Sequence, residues 1–197
     1  MTAPKTLLQL AGADLAPAAI AGSTLLLIDC QREYVDGAVV LPGVDAAVAA
    51  AADLLGRFRA AGAPVVHVAH VGQPGGAFDP DGPGGAFAGA VAPLDGEAVV
   101  RKRLPNAFAG TDLESTLAAI GNRSLVVVGF MTHMCVSSTV RAALDHGYRT
   151  TVAADATATR PLPDGAGGVV DAATLQRASL AALSDRFAII AGSGDIA

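Results

Sequence analysis

Tryptophan is absent from the chain, and aromatic, cysteine and charged residues are scarce. Phe, Tyr and Trp together make up 4% of the 197 residues, and Asp, Glu, Lys and Arg make up 16%. The 13 basic residues are outnumbered by 18 acidic ones, which gives a formal net charge of −5 at pH 7. Such a chain lacks the clustered positive charge that binds nucleic-acid phosphates. We therefore expect a small-molecule substrate and no nucleic-acid partner.

Long hydrophobic runs and a disulfide framework are missing as well. No run approaches the roughly 20 apolar residues that cross a bilayer, and residues 1–21 lack the basic start and unbroken apolar core of a signal peptide. Two cysteines, Cys30 and Cys135, do not indicate a disulfide-built fold. We expect a cytoplasmic protein with no membrane partner, folded as one domain over residues 1–197.

Short apolar runs alternate with helical patterns along the chain. The runs are continuous, as in strands buried on both faces, and they predict six strands near residues 24–28, 64–68, 98–101, 124–128, 148–153 and 187–191. Periodic apolar positions predict helices near residues 45–61, 113–120, 136–146 and 171–183, the second preceded by a capping-box pattern from Thr111 to Glu114. This order predicts an α/β fold: a three-layer α-β-α arrangement with a doubly wound, mostly parallel sheet of six strands.

Four reactive or ionisable residues come shortly after predicted strands: Asp29, His70, Lys102 and Cys135. The carboxyl ends of parallel strands meet at one edge of a sheet, where sites form at the reversal of strand order. A buried Asp29 suits a general base, and free N–H groups at a helix start favour a Cys135 thiolate. Spacing alone leaves open a structural Asp–Lys pair beside a core cysteine.

Several segments resemble the isochorismatase-like cysteine hydrolase superfamily over nearly the whole chain. Residues 27–31, Leu-Ile-Asp-Cys-Gln, are similar to its Asp-x-Gln signature. Lys102 and the following residues 106–113 are similar to its lysine segment, and residues 129–139 resemble its Gly-x-x-Thr-x-x-Cys-Val block. The motifs occur in the family's order at similar intervals, which makes their combination more specific than any one of them.

The resemblance implies a catalytic triad of Asp29, Lys102 and Cys135 and a hydrolase that acts on carbon–nitrogen bonds other than peptide bonds. Asp29 would take the thiol proton, Lys102 would favour the thiolate, and Cys135 would attack the carbonyl of an amide, carbamoyl or ureido group to form a thioester. No cofactor is implied. Family members are commonly dimers or tetramers, so the resemblance also implies a homo-oligomer.

The family's non-proline cis peptide would fall between Phe130 and Met131. The resemblance then implies an oxyanion hole formed by the backbone N–H groups of Met131 and Cys135.

Candidates for the substrate-binding wall are aromatic and histidine residues: Tyr34, His70, Phe108, Phe130 and His133. The Gly- and Pro-rich loop 72–97 is expected to be a lid or an interface element, to which Phe78 and Phe87 belong. Few charges occur in this set, which favours a small, mostly uncharged substrate.

Other cysteine and histidine residues are interpreted as structural and not as catalytic or metal-binding residues. Cys30 and His67 are expected in the core, since neighbouring strand residues point to opposite faces. His133 and Cys135 lack further ligands for zinc. The nicotinamidase branch of the superfamily binds its metal through an Asp-x-His pair and a second His, but no histidine follows Asp36 here. We expect no metal and a substrate other than nicotinamide.

Two alternatives remain open. An isochorismatase-type enzyme would cleave a vinyl ether by acid catalysis through Asp29, but such enzymes commonly lack the cysteine. A non-catalytic binding domain would have an unreactive Cys135, and resemblance of fold does not guarantee function.

Overall fold

The computed structural model describes residues 3–197, in which helices and strands alternate as the apolar pattern predicts. In chain order its regular elements are α1 (Leu7–Leu10), β1 (Ser23–Ile28), α2 (Val44–Ala60), β2 (Val65–His70), β3 (Ala98–Lys102), α3 (Leu113–Ile120), β4 (Ser124–Phe130), α4 (Ser137–Asp145), β5 (Arg149–Ala158), β6 (Leu162–Pro163), β7 (Val169–Val170), α5 (Ala172–Arg186) and β8 (Ile189–Ala191).

The main sheet has six strands in the order β3-β2-β1-β4-β5-β8, and every neighbouring pair is parallel. The predicted fold class is confirmed, with a fully parallel sheet instead of a mostly parallel one. Successive strands run outward from β1 in one direction and then from β4 in the other. The order therefore reverses between β1 and β4, which opens a crevice at their carboxyl ends.

Each face of the sheet has its own apolar core. Along β1, Leu25 and Leu27 pack with α2, whereas Leu26 and Ile28 pack with α3, α4 and α5. These four side chains are 0% exposed. Burial of alternate residues on opposite faces explains why the strand appears in the sequence as an unbroken apolar run.

Two short elements were not predicted. The antiparallel pair β6–β7 spans two residues in each strand, too few to display alternation, and α1 has a single turn of four residues. Strand β5 also extends past its predicted end, as far as Ala158, whereas β2 closes at His70 as expected. The β5 extension contains Asp155 and Thr157, polar residues that the apolar pattern alone does not assign to a strand.

The predicted capping box before α3 is wrong. Asp112 is the N-cap and its side chain makes no capping bond. The Thr111 hydroxyl instead donates to the carbonyl of Ala107 and accepts from the N–H of Leu113 at 3.2 Å. The loop before the helix therefore uses the hydroxyl that the pattern assigned to the cap.

Loop 72–97 divides into two parts with different environments. Ala88 and Val91 are 6% and 0% exposed and belong to the core on the α2 side. The earlier part, called here the lid segment (residues 72–87), lies toward the carboxyl ends of the strands. A Cβ at Gly72 would lie 1.8 Å from the carbonyl oxygen of Ala77, so this close crossing requires glycine.

Candidate active site

Asp29 lies where β1 leaves the sheet. Its N–H still donates to the carbonyl of Val68 at 2.9 Å, but its φ of 49° turns the backbone away from β2. A left-handed conformation is uncommon outside glycine, and Asp is among the residues that tolerate it. The Asp29 residue is 0% exposed, so its carboxylate is held in a site nearly free of water.

Lys102 ends β3, two strands away from β1. Its Nζ lies 2.7 Å from Oδ2 of Asp29 and 3.2 Å from Sγ of Cys135. A third contact, at 3.4 Å, joins Nζ to Nδ1 of His70. Lys102 is only 1% exposed, and its ammonium therefore depends on these neighbours in place of water.

Cys135 is held by the connection between β4 and α4. Residues Thr132–Val136 form a π-helical turn, a feature often found at functional sites. Before this turn, Gly129 has a φ of 113°, and a Cβ there would lie 2.0 Å from the carbonyl oxygen of Ile28. Glycine therefore allows β4 to approach β1 closely where the two strands deliver Cys135 and Asp29.

The site contains one carboxylate, one ammonium and one thiol. Burial raises the pKa of Asp29, and the Lys102 ammonium opposes that shift. Burial and the Asp29 charge raise the pKa of Cys135 to about 12, again against the effect of Lys102. The expected thiolate is therefore not the resting form, because desolvation and the neighbouring carboxylate outweigh the lysine and the helix terminus.

The backbone near Cys135 contains a possible anion site. The peptide bond between Phe130 and Met131 is cis, at the position that the resemblance implies. Among residues 3–197 the N–H of Met131 has no hydrogen-bond acceptor. An oxyanion hole at Met131 and Cys135 stays a prediction.

Three of the predicted binding residues form an aromatic side of the site. The Tyr34 ring contacts Phe130 at 5.9 Å and Phe78 of the lid segment at 4.9 Å between ring centroids. His70 contacts the same Phe78 at 5.3 Å. Burial and the Lys102 charge lower the pKa of His70, which favours a neutral imidazole.

The structure does not bring Phe108 to the triad. Its ring stacks on His146 at 4.5 Å and lies 6.1 Å from Tyr148. Tyr148 directly precedes β5, so Phe108 lies toward the amino ends of the strands, because the chain between β3 and α3 crosses to that side. We leave Phe108 out of the proposed pocket.

His133 and Arg160 form a polar side of the site. The half-buried His133 contacts the Thr159 hydroxyl through Nδ1. The Arg160 charge lowers the pKa of His133, after the larger effect of burial, and also acts on buried Tyr34. The Nε of Arg160 is buried with no hydrogen-bond partner in the part of the chain that the structure describes.

Arg160 was missed in the sequence. The available signal was its position just after β5, comparable with the positions of Asp29, His70 and Lys102 at or just past the ends of their strands. Arg160 adds a charge that the predicted set of binding residues does not contain.

The two residues assigned to the core are buried as predicted. Cys30 is 0% exposed on the α2 side of the sheet. His67 is also 0% exposed, and its Nε2 lies 2.9 Å from Glu97. Within residues 3–197, no cluster of three or more His, Cys, Asp or Glu side chains that could hold a metal is found.

The fold and site together define an α/β protein in which a cysteine, an aspartate and a lysine converge at the carboxyl edge of a parallel sheet. The isochorismatase domain model matches residues 23–195, and the chain therefore belongs to the isochorismatase family. The structure is similar to that of an isochorismatase from Pseudomonas putida KT2440, with a TM-score of 0.95 and 45% identity, covering 99% of this chain and 100% of that one.

Two relatives extend the comparison. A secreted isochorismatase effector of Verticillium dahliae is 38% identical over 88% of this chain and 90% of its own length. A streptothricin hydrolase of Streptomyces noursei is 39% identical over 84% of this chain and 67% of its own length. The chain is accordingly a hydrolase of the isochorismatase family.

Proposed function

We propose that this protein hydrolyses a carbon–nitrogen bond in a small amide, carbamoyl or ureido compound through a thioester on Cys135. The observation that carries the proposal is the position of Lys102 Nζ, 2.7 Å from Asp29 Oδ2 and 3.2 Å from Cys135 Sγ. A maleamate amidohydrolase of Pseudomonas putida, 37% identical over 65% of the chain, supports the C–N bond as the target.

The first half of the reaction transfers one proton and forms one bond. Because the resting thiol is protonated, Asp29 accepts its proton as Sγ attacks the carbonyl carbon. Lys102 stabilises the sulfur and the carboxylate during this transfer. The protonated Asp29 then donates to the leaving nitrogen as the C–N bond breaks, which leaves a thioester and restores the carboxylate.

The second half regenerates the thiol. Asp29 takes a proton from water, whose oxygen adds to the thioester carbon. Expulsion of Sγ releases the acid, and Asp29 returns the proton to sulfur. In both halves the N–H groups of Met131 and Cys135 are proposed to stabilise the carbonyl oxygen as its negative charge develops. One such donor typically contributes about 3 kcal/mol.

The pocket favours a substrate with an anionic group. Arg160 forms no ion pair among residues 3–197, its Nε is unpaired, and its charge reaches His133 and Tyr34 beside the triad. A carboxylate on the substrate would supply the missing partner in a bidentate contact. This arrangement favours an acidic substrate over the mostly uncharged one that the aromatic residues alone suggest.

A panel of paired amides, each with and without a carboxylate, tests both parts of the proposal. Cys135→Ala should lower kcat by about a thousandfold or more, and Cys30→Ala should keep activity, since Cys30 packs away from the triad. Arg160→Met should raise KM about tenfold for the acidic amides, the effect of losing one charged hydrogen bond, and leave the neutral ones unchanged. Undiminished turnover in Cys135→Ala would exclude the thioester.

The second candidate is vinyl-ether hydrolysis with Asp29 as the acid. The name of the Verticillium relative and the raised pKa of Asp29 favour it. That reaction does not use the thiol, so Cys135→Ala would retain cleavage of isochorismate and Asp29→Ala would lose it. The amidase proposal requires both variants to be inactive.

We also propose a cytoplasmic location and, from the family resemblance, a homo-oligomer. Among residues 3–197 no helix has the length and apolar character of a membrane span, and the Verticillium relative is named as secreted. The cytoplasm remains our prediction, as does a dimer or tetramer, which light scattering of the purified protein would measure.

A further inference from the structure

The backbone pairing of β1 and β2 ends two residues before the strand end of β2. Ile28 is paired with Val68, and the N–H of Asp29 makes the last bond to that residue at 2.9 Å. Because Asp29 turns away, β1 supplies no backbone partner for His70. A buried strand end without partners would leave an N–H and a carbonyl unsatisfied.

The side chain of Gln31 supplies the missing partners. Its Oε1 accepts from the N–H of His70 at 2.9 Å, and its Nε2 donates to the carbonyl of His70 at 3.0 Å. Nε2 also donates to the carbonyl of Gly85 at 2.8 Å. Gln31 is 1% exposed, so water does not replace these bonds.

These bonds connect the lid segment to the support of the triad. His70 contacts Lys102 through Nδ1 at 3.4 Å, and Gly85 belongs to the lid segment. The backbone adds a bridge between Gln31 and Phe87, with Arg32 donating to Ala86 at 2.8 Å. The side-chain amide of Gln31 thus joins the lid segment to His70, the neighbour of Lys102.

We infer that Gln31 is a positioning residue that holds the lid segment closed over the triad through its bonds to Gly85 and His70. The inference rests on the hydrolase function proposed above. With these bonds intact, Phe78 of the lid segment stays against His70 and Tyr34, and Lys102 keeps its third neighbour. Without them, three partly buried polar groups of His70 and Gly85 lose their partners, and the lid segment opens more often.

Two variants distinguish the effect of losing the Gln31 hydrogen bonds from the effect of losing the volume of its side chain. Gln31→Ala removes the whole amide. Gln31→Glu keeps the size and the acceptor but, when ionised, loses both donations. Gln176→Ala is the matched control, since that α5 glutamine also donates an amide bond, to Thr157 Oγ1 at 2.8 Å, outside the triad and the lid segment.

Hydrogen exchange and alkylation measure opening without any substrate. Backbone amides of residues 72–87 should exchange about tenfold faster in both Gln31 variants, and their exchange rates should be unchanged in Gln176→Ala. A tenfold change in rate corresponds to a loss of about 1.4 kcal/mol in the free energy of opening. Iodoacetamide should also label Cys135 faster in both. Exchange that matches wild type in this segment, or that rises equally throughout the molecule, would overturn the inference.

Kinetics then show whether the opening matters for substrate. With an amide that wild type hydrolyses, kcat/KM should fall about tenfold in Gln31→Ala, mostly through KM, and should be unchanged in Gln176→Ala. A decrease confined to kcat would overturn the lid role. If wild type hydrolyses no amide, the proposed function fails, and the exchange result still decides whether Gln31 holds the lid segment.

Discussion

Lys102 has three neighbours for its three ammonium hydrogens: Asp29, Cys135 and His70. With a carboxylate, an ammonium and a neutral thiol, the proposed triad carries no net charge before a substrate binds. The pairing of two opposite charges reduces the free-energy cost of burying them. In the proposed mechanism, the thiolate nucleophile forms only as the proton moves to Asp29.

The charge of Asp29 contributes to keeping this thiol protonated. Asp29→Asn removes that charge while Lys102 remains, so the pKa of Cys135 should fall from about 12. Each unit of decrease raises the thiolate fraction about tenfold at a given pH. We expect faster alkylation by iodoacetamide at pH 8 together with loss of turnover.

The measurement is the rate of alkylation against pH for wild type and Asp29→Asn, with Cys135→Ala as the blank. In wild type the alkylation rate should keep rising with pH well above the pH range in which an ordinary thiol titrates. An alkylation profile that Asp29→Asn leaves unchanged would show that burial alone sets the pKa of Cys135.

At the scale of elements, Glu97 joins the end of α2 to the start of β3. Its carboxylate pairs with Arg59 of α2 at 2.7 Å and contacts buried His67 of β2 at 2.9 Å. These bonds, that of Arg59 foremost, lower the pKa of Glu97 to about 2. Burial lowers the pKa of His67, which favours a neutral ring there.

Glu97→Gln should reduce the free energy of unfolding by about 1–2 kcal/mol at pH 7, allowing for screening of the partly exposed Arg59. Urea denaturation measures this, with the exposed Asp53→Asn as a control that changes it by less than about 0.5 kcal/mol. An equal effect of the two substitutions would contradict a special role for Glu97.

The shifted pKa values of Glu97 and His67 also predict how the stability of the protein depends on pH. A folded-state pKa below the unfolded value adds stability at higher pH, and for Glu97 this contribution is lost as pH falls from 4.5 toward about 2. Glu97→Gln should therefore flatten this part of the stability curve. His67 adds a loss that begins below its ordinary value of 6.5, since only the unfolded chain then accepts the proton readily.

At the scale of the whole molecule, the residues after β8 join α2 to the sheet. Arg57 of α2 donates to the carbonyls of Ser193 and Ile196. Ser193 in turn donates from its N–H and hydroxyl to Asp155 of β5, at 2.8 and 2.7 Å. Ile196 is 0% exposed in the core on the α2 side.

Arg57→Met should therefore lower the free energy of unfolding by about 2–3 kcal/mol, because two buried carbonyls lose a charged donor. Thermal and urea unfolding of this variant measure the change, and Arg177→Met, at an exposed α5 position, is the control. A result within about 0.5 kcal/mol of the control would show that water replaces both bonds.

Much of this molecule could be predicted because the informative patterns are local. Continuous apolar runs identified all six strands of the main sheet, since a strand buried on both faces needs apolar residues at successive positions. The positions of Asp29, His70, Lys102 and Cys135 shortly after those runs then predicted their convergence. The sequence by itself thus determined the fold class, the family and the residues of the proposed triad.

Tertiary structure decided what depends on distant neighbours. Gln31 bonds to residues 39 and 54 positions away, and the charge of Arg160 acts on Tyr34 and His133 because the fold brings them near. The raised pKa of Cys135 follows from burial and from the Asp29 charge, which no motif records. Phe108 is aromatic, as pocket residues often are, but it lies at the other end of the sheet. The path of the chain after β3 is set by packing and not by local sequence.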